Sequence, residues 1–143
     1  MNDQTLIWNK VGQTCIYLLF GLVPLFFLPF TAFPVEYNKM VLVSLLVLLA
    51  FGAYLARTLS EGRISLPKTW LWVALALFLG ISLISALLSE APQVAIWGDL
   101  TSPDSYFNFL IYGLALFLVP MFLTTSSHLI RILLLFSASI LFV

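Results

Sequence analysis

The stretch MVLVSLLVLLAFGAYLARTL, residues 40–59, holds a single charge, Arg57, in twenty residues. A helix rises about 1.5 Å per residue, so this run spans about 30 Å, the thickness of a bilayer's hydrocarbon core. No turn residue or alternating pattern interrupts it, so it is read as a helix, and its apolarity all round suits lipid better than water.

Working outward, the same pattern repeats. A run over about 11–30 precedes it, broken by Pro24 and Pro29, which are expected to kink its second half. Runs over about 70–88 and 107–123 follow, and 129–143 begins another. Charged residues make up 8% of the 143-residue chain and hydrophobic ones 62%. A soluble domain carries roughly a quarter charged residues. The expected fold is all-α: a polytopic transmembrane bundle of four full spans plus a truncated fifth. The last run meets no polar cap, so the chain is read as the N-terminal portion of a larger membrane domain. A weakly basic start and the absence of an A-x-A site favour a retained first span over a cleaved signal.

The charges in the polar breaks are sorted by sign. The first, third and fifth breaks hold Lys10, then Arg57, Arg63 and Lys68, then Arg131. The second and fourth hold Glu36 and Lys39, then Glu90, Asp99 and Asp104. Basic residues gather on the cytoplasmic side of membrane proteins, which puts the N-terminus in the cytoplasm and Lys39 alone among the bases outside. Zero net charge with no basic stripe excludes nucleic acid as a partner; membrane lipid is the expected one.

Local signals fill in detail. Ser102 before Pro103 and Asp104 is the expected cap of the fourth span. Ala91 to Trp97 is apolar enough for a short helix on the membrane surface, with Gly98 turning the chain. Trp70, Trp72, Trp97, Tyr37, Tyr106 and Phe107 suit the interfacial belt. Gly52 and Ala56, Ser82 and Ala86, and Ser85 and Ser89 have the spacing that lets helices approach closely. The single cysteine, Cys15, is read as a small packing residue. His128, the one histidine, is expected at a helix start in a solvated or capping role.

No catalytic or phosphate-loop motif and no Cys/His cluster is present, so no catalytic residue, metal or cofactor is assigned. Two segments on the external side are the candidate binding residues. Glu36 and Lys39 sit three residues apart, where a helix would pair them; alternatively Lys39 attracts an anionic head group. Trp97 and Asp99 have the stacking face and acceptor that suit a sugar, although an interfacial Trp followed by a turn glycine explains them more simply.

Several landmarks come in a recognisable order. The first span ends Leu28-Pro29-Phe30. Val35-Glu36-Tyr37-Asn38-Lys39-Met40 enters the Leu-rich second span. The basic loop closes with Ser65-Leu66-Pro67, and Leu87-Leu88-Ser89 and Pro92 to Trp97-Gly98 follow span three. Over Leu19 to about Leu123 the chain resembles the N-terminal region of the O-antigen ligase and polymerase family of bacterial membrane proteins. The resemblance implies a bacterial inner-membrane enzyme. Such an enzyme transfers glycan from a polyprenyl pyrophosphate carrier to a lipid, glycan or protein acceptor, with essential basic residues and histidine in a loop further along. Relatives often carry a basic residue shortly after the Trp-Gly segment; Leu100 to Tyr106 has none. A non-catalytic membrane scaffold or transporter-like subunit is the alternative.

Overall fold

A computed structural model describes residues 3–25, 35–62, 70–98, 104–123 and 126–141. They form six helices: α1 (Asp3–Leu25), α2 (Val35–Glu61), α3 (Leu71–Leu87), α4 (Pro92–Trp97), α5 (Tyr106–Phe122) and α6 (Ser126–Leu141). No strand occurs among the described residues. Each apolar run is helical over its described residues, so the all-α reading holds; two helices, not four, have full spanning length among the described residues.

The boundaries moved most in α1, which starts eight residues before the expected span. Thr5 is buried, and Asn9 and Gln13 are half-buried. These polar residues extend the helix because its neighbours offer them partners. Pro24 lies inside α1, next to its last residue. Pro29, with Pro34, Pro67 and Pro103, falls outside the described residues. At 23 and 27 residues, α1 and α2 are about 34 and 40 Å long. Both are long and apolar enough to cross a membrane. The helices α3, α5 and α6 have 17, 17 and 16 residues, at or just below the short end of spanning lengths.

Helix ends follow local chemistry. Gly62 at φ 62° closes α2, its N–H donating to the Thr58 carbonyl. Gly98 at φ 83° ends α4 and turns the chain as expected. Both need the left-handed region that glycine enters freely. Pro92 opens α4, where a missing N–H costs nothing. The cap of α5 is Ser105, not Ser102: its extended backbone lets the hydroxyl accept from the Asn108 N–H at 3.4 Å. Ser102 lies outside the described residues.

Side-chain contacts set the helix directions. Asn9, early in α1, accepts from Arg57, late in α2, at 3.2 Å. Gln13 of α1 donates to the carbonyl of Phe122, the last residue of α5, at 3.1 Å. Both α2 and α5 therefore run against α1. Tyr17 meets His128, and Phe20 meets Phe136 edge-on at 6.4 Å, so α6 runs with α1. Trp72 packs on Phe117 and Phe78 on Phe109, so α3 runs against α5. Direction thus alternates along α1, α2, α3, α5 and α6. The core lies where α1, α2 and α5 meet, around Ile16, Val47, Ala50, Leu118 and Phe122. On its flanks α6 packs on α1, and α3 on α5.

Close approach uses glycines other than those expected. A Cβ at Gly12 would come within 2.2 Å of the Phe122 ring, and one at Gly113 would touch Leu75 and Leu79 at 3.3 Å. Gly52 and Gly80 face open space. Ser85 and Ser89 are exposed, and of the expected pairs only Ala86 is fully buried.

Candidate functional site

Alternating helices collect charge at two ends. The Asn9–Arg57 bond places Lys10 and Arg57 together at one end, and the Tyr17–His128 contact sets the first turn of α6 just past the midpoint of α1. Lys39, Glu90 and Asp104 lie at the opposite end, at the start of α2, after α3 and before α5. Lys10 and Arg57 thus share one end with the acid Glu61, and Lys39 shares the other with Glu90 and Asp104.

Of the four candidate binding residues, two can be followed. Lys39 is half-buried in the second turn of α2 and makes no ion pair with a described side chain. Trp97 ends α4, is 73% exposed, and stacks on Phe107 with centroids 6.2 Å apart. The helices α2 and α4 do not touch, so no contact joins Lys39 to Trp97. The Glu36 side chain and Asp99 lie outside the described residues, and with them the Glu36–Lys39 pair.

The developed polar contacts lie along α1 and at the end of α2, and the sequence did not single them out. His128 is neither solvated nor a cap. It is half-buried, and its Nδ1 meets the Tyr17 hydroxyl. With the phenol as donor, Nδ1 is the acceptor and the neutral ring carries its proton on Nε2. Arg57 bridges Asn9 and Glu61, the latter at 2.9 Å one turn away. Every one of these polar groups has a partner, and no buried side-chain polar atom among the described residues lacks one. Spacing along one helix could not reveal pairs 48 to 111 residues apart.

Two apolar grooves flank α5. One, of about 170 Å³, lies between α1, α2 and α5, with Cys15, Leu46, Ala50, Ala115 and Leu116 in its wall. Cys15 is buried there, as a packing residue should be. The other, of about 380 Å³, lies between α3 and α5 beside Gly113 and Phe78. The exposed Tyr112 and Leu116 line both and separate them. Trp72 does not sit at an interface alone: it is half-buried on Phe117 with centroids 4.9 Å apart. Among the described residues no three His, Cys, Asp or Glu side chains converge.

Comparison with protein families, with characterised proteins and with solved structures gives no match to this chain.

Proposed function

We propose that this chain is a multi-pass membrane unit with its basic end in the cytoplasm. One observation carries the reading: large apolar side chains cover the outer faces of the bundle, while the few polar groups within it are hydrogen-bonded. In α1, Thr5 is buried and Asn9 and Gln13 bond to neighbouring helices, while Leu6, Ile7, Val11, Leu18 and Leu22 are exposed. In α2, Leu45, Leu48 and Leu49 are each more than half exposed. In water that surface would be an aggregation hazard. In lipid it is the solvent-facing side, and internal hydrogen bonds satisfy groups that hydrocarbon cannot.

Within that class, the reading favoured by the order of landmarks is glycan transfer of the O-antigen-ligase type. The chain would correspond to the family's N-terminal helices, with the carrier-linked glycan approaching from the end that holds Lys39 and Trp97. Deletion of the gene tests it. Glycan linked to the polyprenyl carrier should accumulate and acceptor glycosylation should fall, both restored by the wild-type gene. An unchanged glycan profile would remove the transferase reading and leave a membrane scaffold.

A further inference from the structure

We propose that the groove between α1, α2 and α5 holds one hydrocarbon chain of an anionic phospholipid, with the lipid's phosphate on Lys39. The proposal rests on the membrane reading above.

The face of α2 joins the two parts. Lys39, Val43, Leu46 and Ala50 recur at intervals of four, three and four, the spacing of one helix face. Val43, Leu46 and Ala50 are buried, and Leu46 and Ala50 line the groove. Lys39 stands seven residues before Leu46, about 10 Å along the axis. The groove is at mid-height of α1, α2 and α5, since its lining centres on residues 15–20, 46–50 and 112–119 of them. Half a hydrocarbon core is about 15 Å. A lipid whose phosphate sits at Lys39 therefore has its chain passing at the groove's depth.

The chemistry of the two parts selects the occupant. The groove exists because Cys15, Ala50 and Ala115 are small where their neighbours are Leu, Ile and Phe. A buried water needs two to four polar partners, and this wall offers only the Tyr112 hydroxyl and the weakly bonding Cys15 thiol among its side chains. A hydrocarbon chain needs none. Among the described residues Lys39 is the one base in the first turns of α2, α4 and α5 or the last turn of α3, and no described side chain neutralises it. An ammonium serves as a point-charge partner for phosphate. A basic residue near a membrane surface favours an anionic lipid by about fivefold.

The test uses the full chain in vesicles of phosphatidylcholine containing a small fraction of phosphatidylglycerol that carries a photoreactive diazirine near one chain end. Adducts should concentrate on residues 15–20, 46–50 and 112–119. Ala115→Phe should fill the groove and abolish that labelling while circular dichroism stays unchanged. Lys39→Gln, which leaves the core intact, should lower labelling about fivefold and remove the preference over diazirine phosphatidylcholine. Label spread evenly over the outer faces of α3 and α6 and indifferent to these variants would overturn the proposal. So would a groove protected from label in a dimer, which would assign it to a second copy. Displacement by polyprenyl phosphate at far lower fractions than by phosphatidylglycerol would assign it to the glycan carrier instead. A chain that fails to enter vesicles and takes up no label would overturn the membrane reading itself.

Discussion

At the residue scale, two of the contacts between α1 and its neighbours can be tested singly. Gly12 is required because the buried Phe122 ring lies where a side chain would begin. Gly12→Ala raises helix propensity, yet the steric conflict should win, since overpacking costs about 1–3 kcal/mol against a propensity gain of about 1 kcal/mol. Thermal unfolding in detergent should show a net loss, and Gly12→Ala with Phe122→Leu should recover part of it. Equal or higher stability for Gly12→Ala alone would show that the ring moves freely. The second contact is Tyr17 with His128. Tyr17→Phe leaves the imidazole acceptor without its donor, at a cost of about 1 kcal/mol. In a double-mutant cycle with His128→Leu the two losses should not add. Additive losses would mean that the residues stabilise the bundle separately.

At the element scale, helix identity came from composition, while helix ends came from single residues. Both Ser102 and Ser105 are good caps by type, and Pro103-Asp104 after Ser102 made the earlier one attractive. The chain uses Ser105 because extended backbone there brings its hydroxyl to the Asn108 N–H. Ser105→Ala should lower stability by about 1 kcal/mol, the usual worth of such a cap, and Ser102→Ala should change it little. The reverse ranking in chemical denaturation would restore the earlier start. The extension of α1 to Asp3 has a similar cause. Asn9 and Gln13 read as a polar flank in isolation, but Arg57 and the Phe122 carbonyl supply their missing partners.

At the scale of the whole molecule, alternating direction and sorted charge make one prediction about orientation. In a Cys15→Ala background, Glu90→Cys and Ser60→Cys place thiols at two exposed positions, one at each end of the bundle. An impermeant thiol reagent applied to intact cells should label the first and spare the second. Labelling in the opposite sense would invert the topology and move Lys39 to the cytoplasmic side.

The sequence by itself determined the helices and the sorting of charge. Both are one-dimensional properties: an uninterrupted apolar run fixes a helix, and the sign of each polar break is visible without any contact. The tertiary structure alone decided which glycines carry close packing, that His128 is an internal partner of Tyr17, and that a groove opens between α1, α2 and α5. Gly12 and Gly52 look alike along the chain, because nothing local says which will meet Phe122 and which will face open space. Those distinctions depend on helices far apart in sequence coming side by side, and spacing along one helix holds no information about its neighbour.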